Sequence, residues 1–179
     1  MKSKLALAHL DCGGGLATRR LERGDLPAIA AMLQDPEVSE WYGDDHAASL
    51  AEIAGHIDDP IVSPFLVSLD GAPLGYLQAY HANAEPFWDA FGVPKETYGL
   101  DMFLGARRGL GHGRALCRAM IAHLFTLSDV VRVQIDPDHQ NPRAIHAYTA
   151  AGFTRIGSFS GYYPGETMVY MTTERVSGA

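Results

Sequence analysis

The chain has 179 residues, a formal net charge of −7, 47% hydrophobic residues and 20% charged residues. This length suffices for one domain with a sizeable core, and the composition is ordinary for a globular protein. The acidic balance argues against a nucleic-acid surface, and the sequence has no apolar run of about 18 residues that would predict a membrane span. The negative charge suits a cationic substrate, and it also serves solubility in many acidic proteins.

Residues 1–15 are predicted to be a flexible extension in front of a single domain over residues 16–175. The segment is either a frayed terminus or an extra strand. Its short apolar run is interrupted by His9 and Asp11, which is too early for a signal peptide. The two cysteines are isolated and show no zinc or disulfide spacing, so we predict a cytoplasmic protein without a metal site.

The first half of the chain is predicted to alternate strands and helices. Asp25 is a plausible N-cap for the first helix, and Asp35-Pro36 is expected to end that helix. Trp41-Tyr42-Gly43 is then predicted to lie in a loop, and Asp70-Gly71 is a hairpin turn signal. The expected elements are a strand at Leu16–Leu21, helices at Leu26–Gln34 and Ser49–Ile57, and strands at Phe65–Leu69 and Pro73–Tyr80.

The second half begins with an irregular segment, Ala82–Pro94, and continues with regular elements. Asn141 and Pro142 suit the N-cap and first position of a helix that Gly152 ends. The other expected elements are a strand at Tyr98–Leu104, a helix at Gly111–Leu127, and strands at Val130–Ile135, Phe153–Phe159 and Thr167–Thr173.

A glycine-rich turn joins the Tyr98–Leu104 strand to the helix that follows it. Gly109, Gly111 and Gly113 leave this turn without Cβ atoms, and the free N–H groups of the helix start favour phosphate. Neither the Walker pattern nor the dinucleotide pattern G-x-G-x-x-G fits the spacing. The turn is therefore either a site for some other pyrophosphate-bearing cofactor or only a tight connection between strand and helix.

The pattern Arg-x-x-Gly-x-Gly over residues 108–113 resembles the acetyl-CoA pyrophosphate loop of the GNAT N-acetyltransferases. A second pattern, Asn-x-x-Ala-x-x-x-Tyr-x-x-x-Gly-Phe over residues 141–153, is similar to the second half of the same fold. The resemblance implies an α/β fold with a mixed, mostly antiparallel central sheet flanked by helices. It also implies that the strand ending near Leu104 splays from Val130–Ile135 to hold acetyl-CoA.

The resemblance further implies which residues bind acetyl-CoA. Backbone groups near the end of the strand would hold the pantetheine arm and meet the oxyanion, and the glycine turn would hold the pyrophosphate. The residues implied are Met102, Phe103, Leu104, Arg108, Gly109, Leu110, Gly111, His112, Gly113, Arg114, Asn141, Ala144 and Tyr148. Tyr148 would protonate the departing thiolate, although a core tyrosine on a helix face is the alternative. Asn141 would bind the cofactor, cap its helix, or do both.

Three segments narrow the resemblance to the aminoglycoside 6′-N-acetyltransferases: Glu40–Gly43, Gly99–Asp101 and Gln134–Pro137. That group acetylates a 6′-amine and confers antibiotic resistance, and its members place aspartates at the positions of Asp101 and Asp136. Asp101 is then expected to take a proton from the attacking ammonium, directly or through water. The candidate acceptor-binding residues are Trp41, Tyr42, Gln78, Tyr80, Asp101, Asp136 and Glu166. The alternatives are a core aromatic for Trp41, a polar strand end for Asp101, a turn residue for Asp136 and a solvated loop charge for Glu166.

Two other functions stay open on the sequence. One is a siderophore-type enzyme that acylates hydroxylysine-like amines, which departs from this chain by placing His at position 101 and Glu-Pro at 136–137. The other is an acyl-CoA-binding domain without turnover, against which Asp101 and Tyr148 argue. The expected partner is a small cationic amine rather than nucleic acid or a membrane, and both a monomer and a homodimer remain possible.

Overall fold

The computed structural model describes residues 4–89, 91–160 and 165–175, which form eight strands and six α-helices. The strands are β1 His9–Gly13, β2 Leu16–Arg20, β3 Val62–Leu69, β4 Ala72–His81, β5 Thr97–Leu104, β6 Arg132–Ile135, β7 Thr154–Ser160 and β8 Thr167–Glu174. The helices are α1 Leu26–Leu33, α2 Pro36–Tyr42, α3 His46–His56, α4 Pro86–Asp89, α5 His112–Leu124 and α6 Pro142–Ala151. The sheet order is β1-β2-β3-β4-β5-β6-β8-β7, and all the strand pairings described are antiparallel except for the parallel pair β5–β6.

The chain divides into two compact units, and β5 contributes residues to both. The first unit holds β1 to β4, helices α1 to α3 and the second half of β5. The β3–β4 hairpin turns at Asp70 and Gly71, whose φ angles of 51° and 81° are both left-handed, as a two-residue hairpin loop requires. Gly75 lets β5 approach β4 closely, since a Cβ there would lie 2.3 Å from the Phe103 carbonyl oxygen.

The core of the first unit lies where helices α1 to α3 pack on the sheet. Ile29 and Leu33 of α1 and Ile53 of α3 are buried, and so are Tyr76 of β4 and Phe103 of β5. Residues two apart on a strand share a face. Asp101 therefore lies on the same face of β5 as Phe103, toward this core.

The second unit holds the first half of β5, strands β6 to β8 and helices α4 to α6. β5 pairs with β6 over Thr97–Gly99 and Arg132–Gln134, and β8 lies between β6 and β7. One group of rings, here called the Trp88 cluster, surrounds the buried Trp88. Its members are Phe87, Trp88, Phe91, Phe159 and Tyr170.

The structure confirms the predicted fold class and corrects several local predictions. The prediction of a loop at Trp41-Tyr42 was wrong, because both residues lie in α2. Asp35 caps that helix by accepting the Glu37 N–H at 2.9 Å, so the Asp-Pro pair begins a second helix where the first one ends. Asp25 precedes α1 but makes no side-chain cap, since its carboxylate pairs with Arg19 at 2.7 Å.

Two other segments are more ordered than the sequence indicated. The expected irregular segment contains a short 3₁₀ turn at Ala82–Ala84 and helix α4. Within the predicted extension, residues 9–13 form β1, which pairs with β2, whereas residues 1–3 lie outside the described residues. Among the helices of the described ranges, none has the length and apolar character needed to cross a bilayer.

Candidate active site

Asp101 lies in β5 and keeps only partial contact with solvent. Its carboxylate accepts hydrogen bonds from the Tyr42 hydroxyl and from the Met102 backbone N–H. Burial raises the pKa of Asp101 to about 6, against the opposing effect of these two hydrogen bonds. Asp101 is therefore a carboxylate whose proton affinity suits proton transfer near neutral pH.

Tyr42 ends helix α2 and reaches Asp101 from there. Its ring lies edge-on against Phe103, with the ring centroids 4.9 Å apart, and against Tyr76 at 6.5 Å. Burial and the neighbouring Asp101 charge hold the pKa of Tyr42 well above its usual range, so the hydroxyl stays protonated and donates. The sequence predicted Tyr42 as an acceptor-binding residue, and the structure adds its bond to Asp101.

Gln78 belongs to a second hydrogen-bonded group in the first unit, and the Asp101 charge acts on its member Tyr76. The Tyr76 hydroxyl donates to Gln78 Oε1 at 2.8 Å, and His56 Nδ1 lies 3.3 Å from the same hydroxyl. We call Tyr42, His56, Tyr76, Gln78 and Asp101 the Asp101 network. Because Tyr76 holds the amide oxygen of Gln78, the amide N–H groups of Gln78 are left to donate elsewhere.

Sequence reasoning missed Tyr76 and His56. The signal for Tyr76 was present, because Tyr76, Gln78 and Tyr80 alternate along β4 and so share one face. His56 follows Glu52 by one helical turn on α3, and its Nε2 lies 3.9 Å from the Glu52 carboxylate. Tyr80, predicted to bind the acceptor, is buried.

The surface beside the Asp101 network is acidic. Trp41 lies in the last turn of α2 and is partly exposed, and an open depression next to it is lined by Pro36, Ser39, Glu40, Gly43 and Asp44. Glu52 adds a negative charge that acts on Asp101. Carboxylates beside aromatic rings are the groups that bind ammonium ions.

The glycine turn follows β5 and has an unusual backbone. Arg107, Gly109 and Gly111 adopt positive φ angles of 50°, 78° and 84°. His112 begins α5 directly afterwards, so free backbone N–H groups are available at this turn. Leu110 is exposed, and the donors and the positive φ angles together fit a pyrophosphate.

The Arg108 side chain makes ion pairs and hydrogen bonds within the first unit. Its guanidinium pairs with Asp35 at 2.9 Å and Glu37 at 3.6 Å at the start of α2. It also donates to the carbonyl oxygens of Leu104 and Gly105 at 3.0 and 3.1 Å. The side chain ties the turn to α2, which leaves the Arg108 backbone for a cofactor, whereas Arg107 and Arg114 expose their side chains.

Other predicted cofactor residues lie at the end of β5. Phe103 is a core residue whose ring packs between Tyr42 and Tyr76, so only its backbone is available to a ligand. Met102 and Leu104 are partly exposed. In β5, then, the backbone rather than the side chain of Phe103 fits the predicted contact with pantetheine.

The remaining predicted residues belong to the second unit. Asn141 caps α6 by accepting the Ala144 N–H at 3.0 Å, and Tyr148, on the same helix, is buried with its ring 6.2 Å from that of Phe153. Asp136 follows β6 and influences Tyr170 electrostatically. Glu166 precedes β8 and is partly buried. Within residues 4–89, 91–160 and 165–175, no group of three or more side chains is arranged to hold a metal ion.

Comparisons with known proteins place this geometry among the acyltransferases. The family model of the acetyltransferase (GNAT) domain matches residues 22–160. An aminoglycoside N(6′)-acetyltransferase type 1 from Klebsiella pneumoniae is 31% identical over 167 residues, which cover 88% of this chain and 82% of that protein. A kanamycin resistance protein from Rhizobium radiobacter is 38% identical over 79 residues, which cover 43% of this chain and 71% of that protein.

Solved structures agree with these relatives. The aminoglycoside acetyltransferase AAC(6′)-Ib in complex with coenzyme A and kanamycin superposes with a TM-score of 0.79 at 30% identity, covering 89% of this chain and 95% of that chain. The same enzyme with paromomycin and acetyl-CoA gives a TM-score of 0.77 at 29% identity, covering 90% and 94% of the two chains.

Proposed function

The chain belongs to the GNAT acetyltransferase family, and we propose that it transfers the acetyl group of acetyl-CoA to the 6′-amine of an aminoglycoside, conferring resistance. The relatives supply the reaction class, and one observation in this chain supports it most directly. Asp101 is a partly buried carboxylate, held by the Tyr42 hydroxyl and the Met102 N–H, with a pKa of about 6.

Asp101 serves as the proton acceptor for the attacking amine. Aminoglycoside amines are largely protonated at neutral pH, whereas only the neutral amine attacks a thioester. A carboxylate with a pKa of about 6 is mostly ionised at pH 7 and is a stronger base than an ordinary aspartate. Asp101 takes the proton directly or through one water molecule.

The acidic surface of the first unit recognises the acceptor. An aminoglycoside carries several ammonium groups, each of which needs a carboxylate or an aromatic face. Glu40, Asp44 and Glu52 supply the charge, and Trp41 supplies an exposed ring. Gln78 donates its amide N–H groups to a sugar oxygen, because Tyr76 holds its amide oxygen.

The glycine turn holds the cofactor. Acetyl-CoA, when bound, supplies the thioester that is attacked. The backbone N–H groups from Gly109 to His112 bind its pyrophosphate, and the Arg108 guanidinium keeps the turn in place through Asp35. Tyr148 donates a proton to the thiolate that leaves, which a buried phenol hydroxyl is able to do.

An acceptor panel tests this function. The purified protein is assayed for coenzyme A release from acetyl-CoA with kanamycin, with a matched aminoglycoside that carries a 6′-hydroxyl, and with a hydroxylysine-like amine. We expect turnover of kanamycin only. Turnover of the hydroxylysine-like amine alone would replace the proposal with the siderophore-type function, and binding of acetyl-CoA without any turnover would identify a non-catalytic domain.

A further inference from the structure

The hydrogen bond between helix α2 and strand β5 suggests a role for Tyr42 in the reaction. We infer that Tyr42 is a positioning residue whose hydroxyl orients the Asp101 carboxylate and favours its ionised form, a role that rests on the proposed function. Tyr42 and Asp101 are 59 positions apart along the chain, so this contact exists only in the folded protein.

The Tyr42 ring is held firmly enough to orient a carboxylate. It packs edge-on against Phe103, whose centroid is 4.9 Å away, and Phe103 is itself buried beside Tyr76 at 5.6 Å. Helix α2 is tied down at its other end, because Asp35 pairs with Arg108 at 2.9 Å. Both ends of the short helix are therefore fixed to the segment that contains Asp101 and the glycine turn.

The groups that face Asp101 oppose one another. Helix α2 contributes the Tyr42 hydroxyl, which stabilises the ionised carboxylate. Helix α3 contributes Glu52, a like charge that disfavours ionisation, with His56 beside it. Strand β4 contributes the Tyr76 hydroxyl, which is directed to Gln78. Strand β5 itself contributes the Met102 backbone N–H, which also donates to the carboxylate. Among the side chains, Tyr42 is the one that donates, so its removal should make Asp101 harder to ionise.

This role differs from that of an aromatic residue that only contacts the acceptor with its ring, here called an aromatic wall. A wall contributes its ring, so Tyr42→Phe would leave its function intact. A positioning hydroxyl is lost in the same substitution, while the ring contacts with Phe103 and Tyr76 remain. Tyr42→Phe therefore separates the two roles with little risk to folding.

The direct test is the titration of Asp101 in the protein without substrate. Carbon-13 labelling of aspartate side chains, with Asp101→Asn to assign the signal, follows its carboxyl carbon by NMR as pH changes. In Tyr42→Phe we expect the midpoint to rise by about one pH unit or more, because a hydrogen bond to the charged form is lost. A midpoint that does not rise overturns the inference, whether or not any aminoglycoside is acetylated.

The kinetic consequence is a second readout. The acid limb of kcat/KM should move upward by the same amount in Tyr42→Phe, with the rates of the two proteins converging at high pH. Tyr98→Phe is the matched control, because it removes a hydroxyl that bonds His81 Nε2 at 2.9 Å in the second unit. It should leave the Asp101 midpoint unchanged. An acid limb that stays at the wild-type position in Tyr42→Phe contradicts the inference.

Discussion

Two groups of aromatic residues in the described part of the chain differ in their chemistry. In the Asp101 network the phenol hydroxyls of Tyr42 and Tyr76 donate to polar groups, a carboxylate and an amide. In the Trp88 cluster the rings pack mainly on one another, with Trp88 lying 5.0 Å from Phe87 and 5.6 Å from Tyr170 between centroids. Under the proposed function the Tyr42 hydroxyl serves the reaction. The ring packing of the Trp88 cluster serves stability, although the Tyr170 hydroxyl there also donates to Gln134 Oε1 at 2.9 Å.

Replacing the Asp101 carboxylate should have the largest effect on activity. Asp101→Asn removes the proposed proton acceptor, so kcat should fall by roughly 10²–10⁴-fold at pH 7 and recover partly at high pH, where free amine accumulates. The stability of Asp101→Asn, unlike its activity, should not fall. The pKa of Asp101 is raised on folding, so its ionisation lowers stability as pH rises from about 4 through about 6.

The matching measurement is the thermal midpoint of Asp101→Asn at pH 8. It should equal or exceed that of the wild type, because the asparagine replaces a charge that burial disfavours. If Asp101→Asn has the wild-type rate, Asp101 does not take part in the mechanism. If its lower rate results from unfolding, Asp101 serves stability rather than the reaction.

Substitutions in the Trp88 cluster should lower the free energy of unfolding. Trp88→Ala removes a fully buried ring with four ring neighbours, and such truncations lower the free energy of unfolding by about 3–5 kcal/mol. Denaturant unfolding measures this loss. Phe91→Ala is the control, because Phe91 is 40% exposed and should lose distinctly less. Equal losses in the two variants would mean that the cluster does not pack around Trp88.

The glycine turn extends the comparison to the cofactor. Gly111→Val forces a β-branched residue to φ 84° and fills the space of a phosphate, so the KM for acetyl-CoA should rise by about tenfold or more. Gly24→Val, in a turn with open space around its Cβ position, should leave this KM unchanged. Unaltered acetyl-CoA binding in a folded Gly111→Val protein would exclude the turn as the pyrophosphate site.

The smallest effect is expected at the tether between the turn and α2. Arg108→Gln loses the pairs with Asp35 and Glu37, which should lower the free energy of unfolding by about 1 kcal/mol and raise the KM for acetyl-CoA a few-fold. Arg107→Gln is the stability control, because Arg107 is exposed. If the KM rises in Arg108→Gln while the unfolding free energy stays the same, the guanidinium binds the cofactor itself.

Local patterns predicted most of the fold. Helix α6 begins after Asn141 and ends before Gly152, as expected, because caps depend on residues within one turn of the helix end. The Asp70-Gly71 turn and the strands around it were also predicted, because a hairpin turn likewise depends on neighbouring residues. The α2 helix was missed because an Asp-Pro pair can follow the end of one helix or begin the next. Asp35-Pro36 does both, and the sequence prediction used it only as a helix end.

The contacts of the site were less accessible to sequence reasoning. Asp101 and Tyr42 were both candidate site residues in the sequence, but their hydrogen bond was not predicted, because nothing in the local sequence links two residues so distant in the chain. Arg108 fitted a phosphate motif, and its pairing with Asp35 depends on how α2 packs. Asp101, Tyr42 and Arg108 show that a motif names residues, while tertiary packing decides which of their atoms are available.

The pH dependence of kcat/KM for kanamycin tests the central claim most directly. If ionised Asp101 accepts the proton, kcat/KM rises with pH through an acid limb with an apparent pKa near 6, and that limb disappears in Asp101→Asn. An acid limb of the same midpoint in Asp101→Asn would show that another group accepts the proton and would contradict the account.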